Sequence, residues 1–274
     1  MSDQSPADAV FEVTPGTSPV VLAMPHTGTF VPPAIMARLN DLGQTISDTD
    51  WHVHRLYDGL LPNATKVRAL FSRYVIDANR DPAGTSLYPG QNTTTLVPMI
   101  DFDNNPIWVE GQEPTEQDIA ERLATFHAPY HAAVEAELQR VKAIHGIAVL
   151  FDCHSIRSHI PFLFEGTLPD LNLGTNSGTS CAPEIEAAAV AVAEASDYTN
   201  VLNGRFKGGW TTRHYGRREE GIHSIQLELA QSTHLVGEEL PFDYDPAKAE
   251  KLRKTLADML ARIEAYALSV SSAA

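Results

Sequence analysis

Ile147-Ala148-Val149-Leu150-Phe151-Asp152-Cys153-His154-Ser155 is an unbroken apolar run that ends in an acid, a thiol, an imidazole and a hydroxyl. Its length and composition predict a strand covered on both faces, and His145-Gly146 just before it reads as the close of a helix. In open α/β sheets ligands sit in the crevice beyond the carboxyl ends of the strands, so His154 stands where a ligand would be. The alternative, from this stretch alone, is a core histidine satisfied by a backbone carbonyl.

Working outward towards the amino terminus, Pro19 to Met24 reads as a first strand closing at Pro25-His26-Thr27-Gly28, so a second histidine ends a strand. Pro32-Pro33-Ala34-Ile35-Met36 predicts a helix start, and Ser47-Asp48-Thr49-Asp50 offers capping oxygens to a short helix bearing Trp51, Val53, Leu56 and Leu60 on one face. His52 and His54 lie two apart and point in different directions on such a helix, which makes them surface or supporting groups. Lys66 to Phe71 and Tyr74 to Ala78 read as strands, the second closed by Asn79-Arg80-Asp81-Pro82. Residues 83–113 predict a long loop, a kind of segment that often lines sites. Thr115 and Asp118 form a capping pair ahead of an amphipathic helix that Pro129 should kink or split.

Beyond the central run, an alanine-rich helix is expected over 184–195 and an ordered loop over Lys207 to Gly216. In Ser224 to Leu229, Ile225, Leu227 and Leu229 alternate with Gln226 and Glu228, the pattern of a strand whose polar side faces water. Asp245-Pro246 opens a last helix with a stripe from Leu252 to Tyr266. One domain over 1–274 is expected, with tails at 1–10 and 268–274.

The chain can bury a sizeable core, since 43% of its 274 residues are hydrophobic. A formal charge of −15 argues against nucleic-acid and anionic-membrane surfaces, and requires local arginines wherever an acidic ligand is to bind. Two cysteines make no disulfide framework, and no signal peptide or spanning segment is visible, so a reducing cytoplasm is the expected location. The partner expected is a small acidic molecule, and the oligomeric state a monomer or small homo-oligomer.

His26, Asp50 and His154 together supply two imidazoles and a carboxylate, a set that suits a catalytic zinc with an open position, although their wide spacing carries no short signature. Six segments, however, occur in a recognisable order: Pro25 to Gly28, Ser47 to Trp51, Tyr74 to Asp81, Asp152 to Ser155, Lys207 to Arg213 and Gln226 to Leu229. Over roughly residues 18–262 the chain resembles the N-formylglutamate amidohydrolase family, which is related in fold to zinc carboxypeptidases and aspartoacylase. The resemblance implies a three-layer α/β/α sandwich around a mixed sheet, and hydrolysis of N-formylglutamate in histidine degradation. It makes His26 and His154 metal ligands with Asp50 as the third, Asp48 competing two residues earlier; the metal is zinc, with cobalt and manganese as alternatives. Glu228 matches the general base, and Arg80 beside Asn79 matches a substrate-binding or carbonyl-polarising arginine. Arg213 is expected to read a substrate carboxylate, because guanidinium forks bind carboxylates in pairs of hydrogen bonds, with Arg73 and Lys207 as further candidates. The competing functions are hydrolysis of another N-acyl acidic amino acid, a thiol hydrolase built on Cys153, and a non-catalytic binder.

Overall fold

The computed structural model describes residues 10–85 and 90–272. Strands β1 (Phe11–Thr14) and β2 (Val20–Met24) are followed by single turns α1 (Pro33–Met36) and α2 (Val53–Leu56), then by β3 (Thr65–Ala69). Helices α3 (Glu116–Arg122) and α4 (Ala128–His145) lead into β4 (Ala148–Ile156) and β5 (Leu171–Gly174). The chain ends with α5 (Pro183–Glu194), β6 (Asn200–Leu202), α6 (Trp210–Tyr215), β7 (Ile222–Ala230) and α7 (Pro246–Ser271).

The strands form one seven-stranded mixed sheet in the order β1-β3-β2-β4-β7-β5-β6. Strands β3, β2, β4 and β7 run parallel, whereas β1 and β5 are antiparallel to β3 and β7. All nine residues of β4 and all nine of β7 are buried. Alternate side chains feed separate cores: Val149, Phe151, Cys153, Ile225, Leu227 and Leu229 pack with α5 and α7 on one face. Ala148, Leu150 and Ile222 pack with Tyr130, Val134, Leu138 and Val141 of α4 on the other. Helices therefore cover both faces of the sheet, as the period of two along each strand requires.

Local chemistry explains several boundaries. Thr115 and Asp118 make a reciprocal capping box at α3. A π turn over Leu123–His127 precedes Pro129, which has no N–H to give, and this is where the expected long helix divides. Gly146, at φ 72°, closes α4 in the left-handed region. Asp245 caps α7 by accepting from the Ala247 and Lys248 amides. No helix among the described residues is long and apolar enough to cross a membrane.

Several expectations change. Tyr74 to Ala78 is no strand: it is a buried run of turns whose carbonyls are satisfied by side chains, Arg122 on Val75 and His131 on Ala78. The Ser47 to Asp50 oxygens do not cap α2, whose N-cap is His52 in the left-handed region. Six of the ten residues of the expected Lys207 to Gly216 loop form helix α6. The polar side of β7 does not face water, for the whole strand is interior. Helix α7 runs to Ser271, so the tail expected from 268 starts no earlier than residue 272. Residues 1–9, 273–274 and 86–89 of the expected loop lie outside the described residues, and the remainder of 83–113 holds no helix or strand.

Candidate active site

Beyond its strand, β2 leads away to β3 on one side while β4 leads onward to the other, which opens a crevice between the carboxyl ends of β2 and β4. His26 follows β2 at this crevice, and His154 lies near the end of β4. Asp50 arrives from the turn before α2, its amide held by the His26 carbonyl at 3.0 Å.

These three buried side chains each offer a ligand atom, all within 4.8 Å of one another, and the group could hold a metal ion. His154 Nδ1 lies 3.0 Å from Asp50 Oδ2, and His26 Nδ1 lies 3.8 Å from Asp50 Oδ1. The opposite ring nitrogens are already engaged. His26 Nε2 is 2.7 Å from Asp77 Oδ1. His154 Nε2 is 3.1 Å from the Asn79 amide and 3.1 Å from Asp152 Oδ1, the latter an ion-pair contact without hydrogen-bond alignment. Both Nδ1 atoms thus face one carboxylate while other groups orient the rings from behind, the arrangement metal-binding histidines use. The donor set of two nitrogens and one oxygen fits a zinc-type ion.

The charge state of these three side chains follows from their neighbours. Burial alone would depress His154, but Asp152 and Asp50 hold its pKa well above the usual imidazole value. Burial and the Arg73 charge push His26 down. Against burial, His154 and His26 keep Asp50 below the usual carboxylate range.

Asp48 belongs elsewhere. Its Oδ2 accepts from Tyr74 Oη and from the Phe102 amide, both at 2.9 Å, and burial raises its pKa to about 7. It anchors the segment from which Asp50 reaches the crevice.

Glu228 stands beside His154 in the parallel register of β7 and β4. On β7 the side chains of Gln226 and Glu228 alternate with the apolar set, so the polar side of the strand lines a cleft instead of meeting bulk water. Gln226 Nε2 donates to Glu228 Oε2 at 3.2 Å, and burial lifts the Glu228 pKa to about 8. Gln226 Oε1 also accepts from the Gly209 amide at 2.8 Å. Gly209 must be glycine, since a Cβ there would lie 2.3 Å from the Asn79 amide nitrogen. The same Asn79 accepts from the Thr211 amide at 2.8 Å, so α6, β7 and the Asp77 to Arg80 turns lock together around His154.

The cleft opens to solvent and is lined by His26, Asp50, His154, Glu228, Arg73, Asn79 and Arg80 of the expected set. Arg73 pairs with Asp77 at 2.9 Å and stands 3.7 Å from Asp50; Arg80 stands 3.7 Å from Asp77 and donates to Thr94. Lys207 and Arg213 are not among the lining residues. Lys207 is exposed, and Arg213 Nε donates to the Gly208 carbonyl at 3.1 Å. The sequence pattern gave no role to Asp77, Arg205, Phe206, His127 or His131, and of these only Asp77 lies in one of the six family-like segments.

Cys153 points into the core on the opposite face of the sheet, where its Sγ lies 3.5 Å from the Phe151 carbonyl and burial raises its pKa far above the usual thiol value. It is remote in orientation from the cleft and unactivated, which removes the thiol-hydrolase reading.

Fold and site together describe an α/β protein with a buried histidine–aspartate group at the switch point of a mixed sheet. Residues 18–235 match the family model described as N-formylglutamate amidohydrolase. An N-formylglutamate deformylase of Pseudomonas aeruginosa is 44% identical over 261 residues, covering 94% of this chain and 97% of that protein. One from Pseudomonas putida is 42% identical over the same shares. The crystal structure of N-formylglutamate amidohydrolase from Ralstonia eutropha JMP134 superposes with a TM-score of 0.78 at 25% identity, over 94% of this chain and 98% of that one. A gene product of Agrobacterium tumefaciens shares the fold, with a TM-score of 0.71 at 18% identity, over 96% of each chain. The chain belongs to the N-formylglutamate amidohydrolase family.

Proposed function

We propose that this chain hydrolyses N-formyl-L-glutamate to formate and L-glutamate, the reaction named for its relatives from Pseudomonas. The observation that carries the reading is the buried His26–Asp50–His154 group with Glu228 one strand away, at the floor of a cleft that also holds Arg73 and Arg80. His26, Asp50 and His154 would hold the metal, zinc by the donor set, with cobalt or manganese as alternatives. When bound, such an ion acidifies a water towards neutral pH and polarises a carbonyl.

The chain's own residues supply the remainder. Glu228 takes the proton of the attacking water and returns it to the amine nitrogen as the C–N bond breaks, and its burial beside His154 favours holding that proton in between. Gln226 fixes the carboxylate through its 3.2 Å bond. Arg80, with Asn79 beside it, binds the substrate next to the scissile amide, and Arg73 balances the buried acids Asp77 and Asp50.

Formate release from N-formyl-L-glutamate, run beside acetate release from N-acetyl-L-glutamate and metal analysis of the purified protein, tests the reading. Release of acetate but not formate would assign the chain to another N-acyl acidic amino acid. Absence of both, with no bound metal, would remove the hydrolase.

A further inference from the structure

The long segment over 83–113 reaches the cleft through Asn92, Thr93, Thr94 and Phe102. Thr94 is buried, and it meets the cleft arginine twice. Arg80 Nε donates to the Thr94 carbonyl at 3.0 Å, and Arg80 Nη2 donates to Thr94 Oγ1 at 2.9 Å. One residue thereby supplies both acceptors for the side edge of the guanidinium, the paired geometry in which a planar fork is held most firmly. A threonine suits this place, since its branched Cβ restricts χ1 and keeps Oγ1 on the guanidinium. The segment is fastened alongside: the Asp77 amide donates to the Leu96 carbonyl at 2.7 Å, and Leu96 and Val97 are buried in the same core as Tyr74 and Ile76.

The other contacts of Arg80 show which edge remains for a ligand. Nη1 donates to the Asn79 carbonyl at 3.1 Å and stands 3.7 Å from Asp77 Oδ2. With these bonds made, one N–H on each terminal nitrogen has no hydrogen-bond partner among the described residues. Arg80 lines the cleft and its side chain keeps 23% exposure, so this terminal edge can meet a ligand there. Arg73 is bound more tightly, donating to Asp77 at 2.9 Å and to the Asp48 carbonyl at 3.1 Å with its side chain only 7% exposed.

We infer that Thr94 is a positioning residue for the reaction: by holding the side edge of Arg80 it presents the terminal edge to the substrate. This rests on the deformylase reading above, in which Arg80 binds the substrate beside the scissile amide. Without the hydroxyl, the guanidinium keeps only the Thr94 carbonyl on its side edge and can swing towards Asp77, which draws it off the substrate.

The test measures kcat and KM for N-formyl-L-glutamate, together with metal content, in the wild type, Thr94→Val, Thr94→Ser, Arg80→Lys and the double variant of Thr94→Val with Arg80→Lys. Thr94→Val keeps the shape and removes the acceptor, so kcat/KM should fall by about tenfold or more, chiefly through KM, with bound metal unchanged. Thr94→Ser keeps the hydroxyl and should recover most of that loss. In the Arg80→Lys background no planar fork remains to be held, and Thr94→Val should cost at most about threefold. Should Thr94→Val not fold, Thr94→Ala makes the same comparison. An unchanged kcat/KM without the hydroxyl, a loss that Thr94→Ser does not recover, or an equal loss in both backgrounds overturns the assignment and leaves Thr94 as a packing residue of its loop. A wild type that releases no formate defeats the deformylase reading, and this assignment falls with it.

Discussion

His131 on α4 donates from Nε2 to the Ala78 carbonyl at 2.7 Å, one residue before the asparagine that meets His154. Its Nδ1 lies 2.9 Å from Tyr215 Oη, and one turn earlier His127 Nε2 reaches the Arg80 carbonyl at 3.2 Å. The two imidazoles therefore bracket Asn79 through the carbonyls on either side of it. Because that segment is neither strand nor helix, these side chains do what a neighbouring strand would otherwise do.

Burial depresses His131 to a pKa of about 3, with His127 adding to the effect. Above pH 6.5 the imidazole is neutral in both folded and unfolded chains, and its contribution to stability is complete. As pH falls towards 3 the unfolded chain gains a proton that the folded chain refuses, so stability is lost. The share of His131 at pH 4.5 is about 2 to 3 kcal/mol. His131→Gln, whose amide can still donate to Ala78, should show a smaller loss between pH 7 and 4.5 in urea unfolding. Parallel losses in the two proteins would mean that His131 protonates within the fold.

Asp50→Asn and Asp48→Asn, two residues apart, should behave oppositely. Asp50 faces both histidines, so its amide variant should lose bound metal and formate release together. Asp48 accepts hydrogen bonds from Tyr74 and Phe102, which an amide oxygen can replace, and its variant should keep the metal. Metal content by plasma emission spectrometry decides between them, and the reverse pattern would exchange their roles.

Glu228→Gln should keep stoichiometric metal and a KM within about threefold of wild type while kcat falls by about 100-fold or more, the scale of a lost acid–base group. The side chain keeps its shape but no longer accepts a proton. Single-turnover kinetics check this, and a near-normal rate would move the base to another residue.

Chelation should abolish formate release and leave the far-ultraviolet dichroism in place, because two extensive cores hold the sheet independently of the three ligands. Readdition of zinc should restore the rate. Thiol reagents should have no early effect, since Cys153 and Cys181 are both buried. Loss of dichroism in step with the metal would make the site structural.

What could be read from the sequence was set by how local its physics is. The 147–155 run, the Thr115–Asp118 box, Gly146 and Asp245-Pro246 each carry their own cause, and each appears in the structure. β7 shows the limit: alternation records that one side is polar, and a water-facing side and a cleft-facing side have the same pattern. Tyr74 to Ala78 misleads for a related reason, since apolar spacing reports burial but not what satisfies the backbone. β1, β5 and β6 have four residues or fewer, too short for a period to show. His26, Asp50 and His154 come from three segments, and the order of motifs pointed to them where spacing could not. That Arg213 does not line the cleft depended on which loops meet at its rim, and no local pattern records that.

The pairing of His154 with Glu228 across β4 and β7 makes the chemistry part of the best-buried seam of the sheet. A slip of one residue there would turn Glu228 into the apolar core and Leu227 or Leu229 into the cleft, destroying fold and reaction in one event. The rim is held instead by loop residues outside that seam, with Arg205 donating to the Leu163 and Asn92 carbonyls. Changes at the rim can therefore alter the mouth of the cleft while the register of β4 and β7, and with it the placement of His154 and Glu228, stays fixed.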